Sequence, residues 1–195
     1  MAFLRIALLG ISIVGWGAAA DLGRGRDLHR EGKYSEAADE LRQVVRDDDG
    51  NAEAHRLLGV SLLETGAAGE AAKHIERALE LSPNGDTHLA AARLAVAQKN
   101  WDRAEQMLGE ASGDDLEYVR GMLHLNRGRN EEALRDLEAY TGRHNENAYA
   151  HYYAGLAANN LRRPDRMLHH FEIFLKMKPD APEARKVRSV VRAAK

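Results

Sequence analysis

The sequence predicts an all-α protein made of stacked helical hairpins, and three observations predict it. Small residues return on schedule at Gly25, Gly59, Ala92, Gly121 and Gly155, each followed twelve residues later by a small or apolar anchor: Ala37, Ala71, Ala104, Ala133 and Met167. Both series step by 34, 33, 29 and 34 residues, and a fixed period of about that length is the mark of helix pairs piled side by side. Within each period two apolar-periodic stretches flank a breaker, which is the pattern of a helix hairpin. The composition agrees, because only 6% of residues are aromatic while alanine is abundant, as suits helices that approach closely.

Taken in order, residues 1–20 read as a cleavable export signal. One positive charge lies in 1–5, a twelve-residue apolar stretch follows, and Ala18, Ala19 and Ala20 form a small-residue site before Asp21. The apolar stretch is interrupted by Gly10, Ser12, Gly15 and Gly17, which weakens it as a bilayer-spanning anchor of about 20 residues. No membrane span is expected once it is removed. The array then occupies 21–180, divided near 21–50, 51–84, 85–113, 114–147 and 148–180.

In the first unit helices are expected over 22–31 and 34–47, around Gly32. The second repeats this over 53–65 and 68–81 around Gly66, and Ser82, Pro83, Asn84 and Gly85 stop it. The third is expected over 87–99 and 101–111, short by about five residues, with Asp114 placed to cap the next helix and a tighter joint to unit four. The fourth covers 115–127 and 131–141. The fifth covers 148–161 and 164–177, with Pro164 where a first-turn proline costs nothing. Residues 181–195 hold a last helix with Ala184, Val187, Val190 and Val191 on one face and Arg185, Lys186, Arg188 and Arg192 on another. It is read as a cap that seals the last hairpin.

The charge balance excludes some functions. The 195-residue chain has a net charge of −2, and a duplex-binding domain carries a basic excess that displaces phosphate counterions. Nucleic acid is not an expected partner. There is no cysteine, which excludes a disulfide framework, a thiolate nucleophile, a Cys-ligated zinc and a lipidated N-terminal cysteine. No sequon and no ER-retention ending occur, which leans toward a bacterial envelope.

Candidate chemistry is sparse. His169 and His170 diverge by about 100° on a helix, and no His-x3-His pair shares a face. His55, His88 and His151 recur at one place in three repeats and read as packing or helix-start residues. No metal site and no cofactor are expected. Carboxylates are scattered or gathered at the turn Asp47, Asp48 and Asp49, and no nucleophile elbow, P-loop or dinucleotide fingerprint is present. The reading is of a non-enzymatic protein.

At this level the chain resembles the tetratricopeptide repeat family, exported type, on residues 21–180. The motif fits best at Leu58-Gly59, Leu62, Gly66, Ala71, Ile75, Ala78 and Pro83, and the Ala-x3-large pair recurs as Ala37/Leu41, Ala104/Leu108, Ala133/Leu137 and Met167/Phe171. It departs where the family has tryptophan, holding Asp21, His55, His88, Glu117 and His151, and the closing proline occurs only as Pro83 and Pro179. The resemblance implies a right-handed α-solenoid of about five hairpins plus a capping helix. It also implies a concave groove lined by fixed places on each first helix. Mapped here, these include Arg26, Arg30, Arg56, Arg93, Tyr118, Met122, Asn126, Tyr149, Tyr152 and Asn159, with His29, Val60, Glu64, Val96, Leu156 and Asn160 among them. The family's carboxylate-clamp set is not matched, since Leu22, Arg26 and Leu57 stand in its places.

An arginine-bearing N-terminal part and a tyrosine- and asparagine-bearing C-terminal part suit an extended or helical peptide. The expectation is an exported, periplasmic scaffold that binds a peptide or partner subunit of an envelope assembly. Its rivals are a structural subunit of a larger envelope oligomer, a membrane-held assembly factor that keeps its leader, and a polysaccharide binder using Trp101, Tyr149 and Tyr152. Oligomeric state is left open.

Overall fold

The computed structural model describes residues 21–194, so the export signal expected over 1–20 lies outside the described residues. Eleven α-helices follow one another, with no strand among the described residues: α1 (Leu22–Arg30), α2 (Tyr34–Asp47), α3 (Ala52–Glu64), α4 (Ala68–Leu81), α5 (Gly85–Ala97), α6 (Trp101–Leu108), α7 (Leu116–Asn126), α8 (Asn130–Thr141), α9 (Ala148–Asn160), α10 (Pro164–Met177) and α11 (Ala184–Ala194). They form five antiparallel hairpins stacked into an all-α solenoid, with α11 packed on α10.

Each hairpin turns in the same way. The first helix ends in a residue with positive φ, namely Gly32, Gly66, Lys99, Gly128 and Arg162. The next amide reaches five residues back, as from Lys33 to the Leu28 carbonyl at 2.9 Å and from Asn100 to that of Ala95 at 2.8 Å. This is the Schellman closure, which satisfies carbonyls the helix end leaves free. Glycine adopts the required conformation without strain, whereas Lys99 (φ 58) and Arg162 (φ 56) hold it against their Cβ.

The recurring small residues are explained by helix crossing. A Cβ added to Gly25, Gly59 or Gly121 would lie 2.7, 2.5 or 2.6 Å from Leu41, Ile75 or Leu137, and at Gly155 it would lie 2.4 Å from Phe171. In these four hairpins the glycine receives the large residue four places after the anchor, so the two halves of the repeat are one contact; the third hairpin has Ala92 at the same place. Ridges of one helix thus enter the other at close range.

Neighbouring hairpins are joined along the outer face by ion pairs about one repeat apart. Arg42 meets Glu70 at 2.9 Å, Arg103 meets Glu76 at 3.5 Å and Arg166 meets Glu138 at 3.0 Å. Each exposed pair adds about 0.2–1 kcal/mol at most. Their regular spacing favours one stacking register.

Unit three differs from expectation in its details. Helix α6 stops at Leu108, and the Ser112 amide donates to the Gly85 carbonyl at 3.1 Å, folding the connection back over the start of α5. The joint is therefore pinched along the backbone, yet α6 packs only slightly on α7. The buried core divides there into one body under α1–α5 and another under α8–α11, with small clusters between.

Candidate functional site

The hollow inside the stack is built from the first helices outward. Helix α5 sets Arg93 at its centre, where only 15% of the side chain is exposed. One guanidinium nitrogen donates to Asp115 Oδ2 at 2.8 Å and another to Glu64. Burial works against the charge, but the two carboxylates outweigh it and hold Arg93 protonated. The other oxygen of Asp115 accepts from the Tyr140 hydroxyl at 2.7 Å, and Asn147 donates to that hydroxyl at 3.3 Å.

The start of α7 carries the cost of this network. Asp114 does not cap α7; Asp115 occupies the cap position, and its side chain makes no capping hydrogen bond. At the other hairpin starts Asp21, Asn51, Asn84 and Asn147 do cap with their side chains. A capping bond contributes about 1 kcal/mol. Asp115 forgoes it because its carboxylate is committed to Arg93 and Tyr140.

Tyrosines cover the adjoining wall. Tyr118 stacks on Tyr140 with centroids 5.2 Å apart, Tyr140 stacks on His144 at 4.5 Å, and Tyr118 continues to Tyr153 at 6.2 Å. Burial pushes the Tyr118 phenol well above its usual range; burial and then the Asp115 carboxylate do the same for Tyr140. Across the hollow, His29 Nδ1 lies 2.9 Å from Ser61 Oγ. Burial first, then the charges of Arg93 and Arg56, lower its pKa to about 4. The imidazole is neutral at pH 7 and the phenols are protonated, so the lining offers fixed donors and acceptors at neutral pH.

A cavity of about 710 Å³ spans the hollow from the first hairpin turn to the last hairpin, touching Arg30, Tyr34, Arg93, Tyr118, Tyr149 and Lys178 among others. A second of about 480 Å³ extends it past Arg26, Arg30, Arg56 and Arg93. A third of about 310 Å³ reaches Arg93, Tyr118, Met122 and Asn126. Arg93 borders all three. Eight of the ten residues mapped to the groove thus border these cavities, while Tyr152 and Asn159 lie outside them. Tyr152 packs on Phe174 at 5.1 Å, and Asn159 is exposed.

The arginines differ in what they can still bind. Arg26 forks onto Glu53 with two bonds of 2.9 Å, and Arg30 meets Asp27 at 3.0 Å. Among the described residues Arg56 has no ion-pair partner, and it is the arginine of the four that is free to meet an incoming carboxylate. Sequence reasoning missed Tyr34, Tyr140, Asp115 and His144. The crowding of five of the six tyrosines into residues 118–153 was a signal for Tyr140; no sequence signal marked Tyr34, Asp115 or His144.

Elsewhere two histidine pairs recur nineteen residues apart, buried His55 with half-buried His74 (Nδ1 to Nδ1, 3.0 Å) and the buried His151 with His170 (2.9 Å). They tie the first helix of a hairpin to the second. Among the described residues no group of three or more His, Cys, Asp or Glu is placed to hold a metal ion, and no helix is long and apolar enough to cross a membrane.

Comparison with known proteins agrees with this architecture. No curated protein matches the sequence. Among solved structures of similar fold is TTC0263, a thermophilic TPR protein in Thermus thermophilus, at 16% identity and TM-score 0.66, covering 89% of this chain and 96% of that one. The APC/C hetero-tetramer Cut9-Hcn1 matches at 14% identity and TM-score 0.70, over 88% of this chain and 35% of that one. YrrB, described as a TPR protein with an unusual peptide-binding site, matches at 21% identity and TM-score 0.53, over 86% and 89%. Models of the tetratricopeptide repeat match residues 22–86 and 118–166, and a second such model matches 62–124. With hairpins, crossing glycines and family models in agreement over most of its length, the chain belongs to the tetratricopeptide repeat family.

Proposed function

We propose that this protein is an exported scaffold of the bacterial envelope whose hollow binds a peptide segment or partner subunit. Its family is one of protein-interaction modules, generally non-enzymatic. The observation that carries the groove reading is the Glu64–Arg93–Asp115–Tyr140 network. It fixes side chains from three successive hairpins before any ligand arrives, which lowers the ordering cost of binding. Arg56 supplies an unpaired cation on one wall and Tyr149 an aromatic surface on the other. YrrB, which shares the fold, is described as having a peptide-binding site. The composition of residues 1–20 supports export.

Recovery of partners from a periplasmic extract tests the groove. Wild type should retain a partner that the Arg56→Glu/Tyr149→Ala variant loses, with both equally folded by circular dichroism. Equal recovery would remove the groove from the reading. N-terminal sequencing of the protein taken from cells tests export separately: a mature chain beginning at Asp21 supports it, and a retained Met1 opposes it.

A further inference from the structure

The charge of the chain is unevenly placed. Residues 161–195 hold ten basic and four acidic residues, a net of +6, while residues 21–160 hold seventeen basic and twenty-six acidic, a net of −9. Such asymmetry within one folded body points to a polyanionic partner at the basic end.

Part of that charge lies in one exposed stripe, while Arg163 and Arg166 are paired with Glu131 and Glu138. Arg185, Arg188 and Arg192 follow one another at three- and four-residue spacing along α11, with Ser189 among them, and all four are exposed. The opposite face of the helix, with Ala184, Val187 and Val191, is buried against the array. Whereas Arg42, Arg103 and Arg166 pair with carboxylates of neighbouring hairpins, none of these three arginines does so among the described residues. Arg188 donates to the Pro179 carbonyl and Arg192 to that of Arg188, which orders the stripe without neutralising it. The Arg188 contact also lays the stripe against the connection after α10. In the last turn of α10, just before that connection, Lys176 and Met177 are exposed, and Met177 is the exposed large hydrophobic residue among those described, at 36%.

We propose that this C-terminal face docks the protein on an anionic lipid bilayer. A stripe of unpaired cations with one exposed apolar side chain beside it fits a charged plane that also offers an apolar layer below its headgroups. None of the cavities described above is lined by α11, so the face presents no recess for a particular anion. The helix remains packed on α10, and contact is peripheral. The inference is independent of what the groove holds.

The absence of cysteine allows a clean test. In the full chain, Ser189→Cys places a single thiol within the stripe and Ser35→Cys places one on the exposed side of α2. Each is labelled with an environment-sensitive fluorophore and mixed with vesicles of phosphatidylcholine alone or of equimolar phosphatidylcholine and phosphatidylglycerol. The label at 189 should shift to the blue only with the anionic vesicles, and strong salt should reverse it, while the label at 35 stays unchanged. Adding Arg185→Glu/Arg192→Glu should weaken vesicle affinity roughly thirtyfold or more. If that variant unfolds, Arg185→Gln/Arg192→Gln is read in the same way. An equal shift on neutral vesicles, no shift on anionic ones, or a shift that grows with protein concentration without vesicles overturns the proposal; the last outcome assigns the face to a second copy.

Discussion

Replacing Gly155 with alanine adds one methyl group where the helices cross most closely. Its carbon would lie 2.4 and 2.5 Å from Cδ1 and Cε1 of Phe171 and 3.1 Å from Cγ. The neighbour is a ring, 1% exposed and in the core beneath α8–α11, so it has no flexible end that can swing aside. Overpacking of this kind costs about 1–3 kcal/mol, and a closed ring belongs in the upper half of that range. Alanine recovers about 1 kcal/mol of helix propensity, leaving about 1–2 kcal/mol of net destabilisation, or roughly 2–8 °C in Tm for a chain of this size. Gly69 is the internal control: it lies in α4 with nothing within 4 Å of its added Cβ. There the same substitution should be neutral or stabilise by up to about 1 kcal/mol. Urea unfolding of both variants, and of Gly155→Ala with Phe171→Leu, separates the terms. The truncated ring should relieve the methyl clash, giving a coupling of about 1 kcal/mol or more. A Gly155→Ala protein as stable as Gly69→Ala would refute the crossing explanation of the repeat.

Further outcomes follow from other features. Lys99→Gly relieves a left-handed backbone and should raise stability by about 0.5–1 kcal/mol in urea unfolding, because strain relief of about 1–2 kcal/mol exceeds the added freedom of the unfolded chain. Asp115→Ala leaves Arg93 with one carboxylate and Tyr140 without its acceptor, and should cost about 2–3 kcal/mol by the same assay. For His170, burial first and then His151 lower the pKa from 6.5 to about 4. Between those values the unfolded state binds the extra proton, so stability is fully present above about pH 6.5, falls as pH drops toward 4, and levels off below it. The loss attributable to this group approaches about 3 kcal/mol. Urea midpoints between pH 7 and 4 should fall in the wild type and fall less in His170→Gln.

The hairpins were legible because one physical requirement, a small residue opposite a large one, is repeated at a fixed interval. The turn residues were legible where they were glycine. At Lys99 and Arg162 the same geometry is imposed by tertiary packing, and no local preference announces it. The groove was readable as a set of positions, since those places on each first helix face inward. Its chemistry was not. Whether an arginine is spoken for depends on carboxylates some twenty to thirty residues distant, as Glu64 and Asp115 are from Arg93, and no periodicity encodes that. Tyr34 and Tyr140 enter from second helices, which the mapping did not consult. The cap of this helix was expected at Asp114, and Asp115 was read only as the first residue of the range 115–127. The bond it lacks there is visible only when its two distant partners are known.

The crossing contacts have a consequence for how the chain is made. Gly155 meets Phe171 sixteen residues away, and Gly25, Gly59 and Gly121 meet their partners at the same separation. These four hairpins therefore carry a close crossing contact within themselves, and loop closure over so short a span is fast and entropically inexpensive. A nascent polypeptide can shut one hairpin before the following one has left the ribosome, whereas the Arg93–Asp115 bridge must wait for synthesis to pass the middle of the array.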